Sequence, residues 1–447
     1  YDNYWLANPY LKGIKEGIYT DKELNEKVRR VLRLTFRTAM NNDRPWGSMV
    51  SDAHKTACRK IGEEGIVLLQ NNANLLPINL SKVKRIAVIG ENAIKMMTVG
   101  GGSSSLKVKY EVTPLEGLKK RIGKQAEIIY ARGYDPTGEY NGVKTGQNLK
   151  DDRSPKELRT EAFQVASNAD IVLFIGGLNK SEYQDCEGTD RKTMDLPYNQ
   201  NELIMDLLQV NKKLVVINIS GTGVAMPWKN HVSTILQAWY LGSETGNALA
   251  SILMGDVNPS GKLPYTYYAC PDQCGAHKLG EYPGHKGMDV LGNEVYDIPY
   301  NEGLFVGYRF IDKNKLKPNF PFGHGLSYTT FEYGKAKVNS KAIEKSEKLY
   351  ITIPITNTGN RAGAEVVQLY IKCLNSSVIR PIKELKGFCK VELQPNETKE
   401  ISFTITAEEL SFFDEKQHKW IAESGKFEAL MASSSADIRS KVCFELK

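Results

Sequence analysis

From about residue 51 to 270, short apolar runs alternate with amphipathic stretches, and the alternation predicts an α/β layer. The runs Arg85–Gly90, Glu127–Tyr130, Asp170–Ile175, Leu214–Ile219 and Thr234–Trp239 are near-continuously apolar, as expected of strands covered on both faces. Helical spacing is read over Lys55–Leu69, Pro114–Arg121, Glu157–Ser167, Asn199–Leu208 and Glu244–Leu253. The implied fold is a largely parallel sheet with helices on both sides. From about 334 the period changes to two. Leu349–Ile355, Ala364–Ile371, Thr398–Ile405 and Lys426–Met431 read as strands punctuated by Asn357-Thr358-Gly359-Asn360 and Pro395-Asn396, the pattern of an all-β sandwich of immunoglobulin or fibronectin type.

Two segments fall outside these patterns. Residues 1–50 read as the tail of something else: Tyr1 to Tyr19 has no period, and a helix to about Met40 opens on a capping box, Thr20 with Glu23. Its apolar positions Leu24, Val28, Val31 and Leu32 require a partner surface. Residues 271–333 are rich in Gly, Pro and Tyr and predict a long ordered connection, uncommon unless functional. The dense turn formers at Gly255–Pro264 and Pro321–Tyr328 read as structural junctions, and Tyr300-Asn301-Glu302-Gly303 and Tyr308-Arg309 as packing, with a place facing a cleft as the alternative.

Composition narrows the class. At 447 residues the chain suggests two or three domains, and 41% apolar with 25% charged residues is globular. The net charge of +7 is spread along the chain without interleaved aromatic and basic residues, so no nucleic-acid partner is expected. No apolar run approaches the ~20 residues that span a bilayer, and no membrane partner is expected. No leader peptide is read, although the first residue is Tyr1, so the natural beginning is expected elsewhere. Of seven cysteines only Cys270 and Cys274 are close, and they form a local disulfide or two free thiols. The six histidines are dispersed and match no metal motif; neither a metal nor a cofactor is expected.

Two loops are candidates for chemistry. The first, Ser181–Arg191, follows the strand ending Gly176-Gly177 and holds Glu182, Asp185, Glu187 and Asp190 with Arg191. A solvated turn and a functional loop both fit it, since open α/β sheets present functional loops at strand carboxyl ends. As a general acid/base Glu187 leads, because Gly188 frees its backbone; Glu182 and Asp185 compete, while Asp190 and Arg191 are expected to pair as a brace. The second is Val99-Gly100-Gly101-Gly102-Ser103-Ser104-Ser105, either a flexible turn or a cradle for sugar hydroxyls or phosphates. It departs from G-x-G-x-x-G, which argues against a nucleotide site.

Together the segments Gly62–Asn71, Gly100–Ser104, Glu187–Arg191 with Leu196-Pro197, Gly255–Pro264, Tyr300–Arg309, Pro321–Phe331, Asn357–Tyr370 and Glu384–Phe388 resemble glycoside hydrolase family 3, the β-glucosidase family with a fibronectin-III-like domain. The resemblance covers nearly the whole chain. It implies an α/β sandwich domain at 51–270, a connection at 271–333 and a fibronectin-III-like domain at 334–447. It further implies Glu187 as the catalytic acid/base and the Gly102-Ser103 loop as substrate-binding. The activity it implies is retaining hydrolysis of terminal non-reducing β-linked sugars.

The family's nucleophilic Asp lies on a preceding (β/α) barrel of about 250 residues, and residues 1–50 resemble only its end. Retention needs two carboxyl groups about 5–5.5 Å apart; one of them is expected here. The expectation is therefore a chain inactive alone, with an oligosaccharide or glycoside substrate and the missing barrel as partners, and a homodimer allowed. The alternative is a non-catalytic carbohydrate-binding or scaffold module. The expected compartment is periplasm or exterior rather than cytoplasm; Asn375-Ser376-Ser377 and Asn396-Glu397-Thr398 match a glycosylation pattern that chance also supplies.

Overall fold

The computed structural model describes residues 8–135, 149, 151–289 and 292–447, which fall into two compact units, Tyr1–His54 and Lys55–Lys447. In the first unit, the helix Asp21–Arg37 starts where the sequence places it: Glu23 Oε2 accepts the Thr20 N–H at 2.7 Å, closing the capping box. No residue of this helix is buried, and Val28, Val31, Leu32 and Phe36 are exposed. Asn8–Lys15 is also helical, where no period is legible, and residues 1–7 of that stretch lie outside the described residues.

The second unit is built on a six-stranded sheet: β1 (Val67–Asn71), β2 (Arg85–Ile89), β3 (Glu127–Ala131), β4 (Ile171–Gly177), β5 (Leu214–Ile219) and β6 (Thr234–Gln237). Their order is β1-β6-β5-β4-β2-β3, parallel throughout except β1, which runs antiparallel to β6. The strand period of two divides the apolar residues between two cores. Val67, Leu69, Ile89, Phe174 and Val216 face one helical layer, while Leu68, Ile86, Leu173, Ile175 and Ile217 face the other.

One expectation is corrected here. Helical reading over Lys55–Leu69 overruns, because the helix ends at Gly65 and Val67–Asn71 is the edge strand β1. A four-residue apolar run carries no period, and burial of Ile66–Leu69 on both faces decides for strand.

The connection is less superficial than its composition implies. It contains a hairpin, His285–Met288 with Glu294–Asp297, and the helix Tyr308–Lys313, whose Phe310 and Ile311 are buried. Its far end closes on the α/β layer: Leu326 N–H donates to Leu68 O, and the two turn-rich junctions interlock, Leu263 N–H to His324 O and Gly323 N–H to Leu263 O, each 2.8 Å. Tyr308 stacks on Phe322 and meets Tyr370 edge-on.

The all-β region is a two-sheet sandwich. One sheet carries Phe331–Tyr333, Lys337–Val338, Leu349–Asn357 and Thr398–Ile405; the other carries Ala342–Ile343, Asp437–Leu446, Gly425–Ser434, Gly363–Cys373 and Glu384–Leu393. Ile351, Ile353, Leu369, Phe427 and Met431 fill its core.

Candidate active site

The sheet reverses its winding between β2 and β4: the chain crosses from β2 to β3 on one side and from β4 to β5 and β6 on the other. Loops leaving neighbouring parallel strands at such a point diverge and leave a crevice at their carboxyl ends. The glycine-serine loop leaves β2 and the acidic loop leaves β4, so the topology brings both candidate loops together.

They are joined by backbone. Gly101 N–H donates to Lys180 O at 2.8 Å, and Glu187 N–H donates back to Gly101 O at 3.3 Å. Lys180 Nζ adds a 3.3 Å bond to Ser104 O. The approach requires glycine: a Cβ on Gly102, whose φ is +78°, would stand 2.7 Å from Glu187 Cβ and 2.9 Å from its Oε2. Glu111 anchors the root of the glycine-serine loop by accepting the amides of Met97 and Thr98 at 2.7 and 3.0 Å.

Within this clasp Ser103 N–H donates to Glu187 Oε2 at 2.7 Å. Ser103, through its side chain and then its amide, holds the Glu187 carboxyl below its ordinary value. Gly102, Ser103 and Glu187 are all exposed. No second carboxylate contributes to the shift of Glu187. In this arrangement Glu187 is an ionised hydrogen-bond acceptor near neutral pH, ready to take a proton but not charged with one.

Asp185 is spoken for. Its carboxylate accepts Gly221 N–H at 2.7 Å, Thr222 Oγ1 at 2.5 Å and Tyr240 OH at 2.8 Å, from the loops after β5 and β6. Burial first, and then Asp185, push the Tyr240 phenol well up, so it stays a donor. Asp185 thus ties the acidic loop to two more strand ends, a role illegible in the sequence because its partners are distant in the chain. Glu182 is half-buried. The expected brace between Asp190 and Arg191 does not form among the described residues: Arg191 Nη2 donates to Gly223 O at 2.6 Å and Thr222 Oγ1 at 3.2 Å. Asp190 faces Tyr282 instead and, after burial, helps push that phenol up to about 12. An ion pair with the exposed Asp190 carboxylate would contribute little, so its absence costs the loop little.

Residues 66–328 match the glycosyl hydrolase family 3 C-terminal domain, and residues 365–435 match the fibronectin type III-like domain. The chain belongs to glycosyl hydrolase family 3. Within that family it is similar to the beta-glucosidase BoGH3A of Bacteroides ovatus, 46% identical over 452 residues, covering 100% of this chain and 59% of the relative. Thermostable beta-glucosidase B of Acetivibrio thermocellus is 37% identical over 428 residues, with 96% of this chain and 53% of that protein covered. The crystal structure of the Bifidobacterium adolescentis family 3 beta-glucosidase superposes with a TM-score of 0.83 at 31% identity, over 98% of this chain and 60% of that one. The chain therefore spans between half and two thirds of the length of these family 3 relatives. Among the described residues, no group of three His, Cys, Asp or Glu side chains is placed to hold a metal ion, and Cys270 and Cys274 are free thiols.

Proposed function

We propose that this chain contributes the acid/base half of a retaining β-glucosidase, with Glu187 as the proton-transferring carboxylate and Gly102 and Ser103 as the loop that meets the sugar. The observation that carries the reading is the clasp itself. An exposed carboxylate is fixed against a glycine-serine loop at the winding reversal of the sheet, where a ligand can reach both. The names of the family 3 relatives supply the glycoside chemistry.

In a retaining mechanism one carboxylate attacks the anomeric carbon while the other protonates the departing oxygen and afterwards takes a proton from water. The second role needs a carboxyl whose proton affinity is raised by desolvation or by a neighbouring negative charge. In Glu187 Ser103 acts in the opposite sense and outweighs desolvation, and no neighbouring carboxylate adds to it. The nucleophile and the surface that desolvates Glu187 therefore come from a (β/α) barrel outside these residues, and the chain alone is inert. A periplasmic or exported setting belongs to the same proposal, one relative being a periplasmic beta-glucosidase.

The test is aryl β-glucoside hydrolysis by the 447-residue chain, by a longer form carrying the barrel, and by that longer form with Glu187→Gln. Turnover is expected from the longer form only and is lost on substitution. Hydrolysis by the short chain would refute the two-part reading. Full activity of the longer Glu187→Gln form would remove Glu187 from the reaction, and binding of sugar without turnover by any form would favour a carbohydrate-binding module.

A further inference from the structure

A cavity of about 540 Å³ opens where the end of the acidic loop meets the extended segment at Tyr265–Tyr268 and the helix at Tyr308. Neither Glu187 nor Ser103 lines it. Among the described residues, two polar atoms on its walls are buried without a partner, Arg191 Nη1 and Thr266 Oγ1, and the Tyr265 hydroxyl beside them meets only that of Tyr267. Thr266 is only 3% exposed. Buried polar groups are nearly always satisfied, so two orphans in one cavity call for a ligand or for water.

Their partners are committed elsewhere. Tyr267 OH, which meets the Tyr265 hydroxyl, also accepts Asn218 Nδ2 at 3.2 Å and Val224 N–H at 3.3 Å. Arg191 spends Nη2 on Gly223 O and Thr222 Oγ1, which orients the guanidinium and leaves Nη1 without a partner. Two glycines keep the space open. A Cβ on Gly223 would stand 3.5 Å from the Tyr265 ring, and one on Gly307 would stand 4.0 Å from Thr266 Oγ1.

The chemistry of the wall selects the ligand. Arg191, Arg309 and His277 line the cavity and, among the described residues, no Asp or Glu does, Arg309 also lying 3.7 Å from Glu384 outside it. A guanidinium donates only, and a buried phenol that cannot ionise also donates. Sites for neutral sugars are rich in side-chain acceptors for hydroxyl protons; here the charged side chains only donate, and they favour a ligand that brings acceptor oxygens. A carboxylate supplies two, and a fixed guanidinium recognises it with charge-assisted bonds. Tyr268, Tyr308 and Phe322 add flat apolar surface, and the volume is that of a small-molecule pocket.

We propose that this cavity binds a small carboxylate on a ring, an aryl acid or a sugar acid, separately from the Glu187 loop. Calorimetric titration of the full chain tests it with benzoate and glucuronate, and with benzamide as the uncharged counterpart. Binding of benzoate or glucuronate is expected, and whichever binds names the source. Benzamide is expected to bind at least about tenfold more weakly than benzoate, and Arg191→Gln to weaken the carboxylate by a similar factor. Glu187→Gln leaves this binding unchanged. Thr266→Val, which replaces an orphan hydroxyl by a methyl of the same shape, weakens binding without lowering the melting temperature. No binding of either acid, or equal binding of benzoate and benzamide, overturns the proposal. So does a lowered melting temperature in Thr266→Val, which would assign the hydroxyl to the fold.

Discussion

Gly102→Ala isolates what the clasp contributes, because a neighbouring glycine provides the control. Gly102 and Gly188 have nearly the same backbone angle, φ +78° and +81°, and both are exposed. At either position a side chain incurs the left-handed backbone penalty, about 1–2 kcal/mol. They differ in surroundings. Nothing lies within 4 Å of a Cβ on Gly188, whereas a Cβ on Gly102 meets Glu187 Cβ at 2.7 Å. That atom is not the free end of a side chain, so the loops must part by several tenths of an ångström. Forced overpacking costs about 1–3 kcal/mol, and exposed loops yield at the lower end, which brings the total for Gly102→Ala to about 2–3 kcal/mol. Parting the loops also removes the Ser103 N–H bond, so the Glu187 carboxyl rises toward its ordinary value. Urea unfolding of the two variants gives the energies. The carboxyl titration is read by carbon NMR on glutamate-labelled chain, with the resonance assigned by its loss in Glu187→Gln. Equal destabilisation by both alanines, with the Glu187 titration unmoved in Gly102→Ala, would falsify the close-approach account.

Two further outcomes follow from titrating groups. Arg121 Nε and Nη2 bind Asp256 in a two-pronged pair, each bond 2.5 Å, and Arg121 holds the Asp256 carboxyl below its ordinary value. A lowered folded-state pKa stabilises the fold above the unfolded value, and the gain is lost as pH falls through the folded one. The pair is about one third exposed, so Asp256→Asn is expected to cost about 0.5–1 kcal/mol at pH 7, and nothing once the pH is well under 4; a cost that persists in acid would mean the loss is packing. His324 Nε2 lies 2.8 Å from Leu69 O, and burial lowers its pKa. The unfolded chain then binds the proton more readily, so stability is full above about pH 6.5 and declines as pH falls below it. His324→Gln keeps a donor for Leu69 and is expected to flatten urea-unfolding stability between pH 7 and 5; an unchanged slope would place the dependence on another group.

Most of the fold was legible because burial and period agree. The strands at 85–89, 171–177 and 214–219 are buried along nearly their whole length, and no helix could use such short unbroken apolar runs. Where burial outran period, reading failed, as at Ile66–Leu69. It also missed Glu384–Leu393 and Asp437–Leu446, sandwich strands with one face in solvent whose Lys and Glu positions and register shifts blur the alternation. The interlocked junctions at 261–263 and 323–325 are visible as turn formers, but that they meet is a fact of tertiary packing.

The candidate site divides along the same line. Glycine density and clustered carboxylates mark two loops, and the winding of the sheet explains why they meet; which carboxylate faces solvent depends on what else reaches the loop. Asp185 receives three donors from the strand ends beyond it, and such a carboxylate is a strut whose lone pairs are occupied. Glu187 is held by Ser103 alone, through side chain and amide, and is otherwise exposed. Asp185 and Glu187, with one residue between them, are thereby separated into an occupied anchor and an exposed acceptor by donors 36 to 55 residues downstream of Asp185, at Gly221, Thr222 and Tyr240.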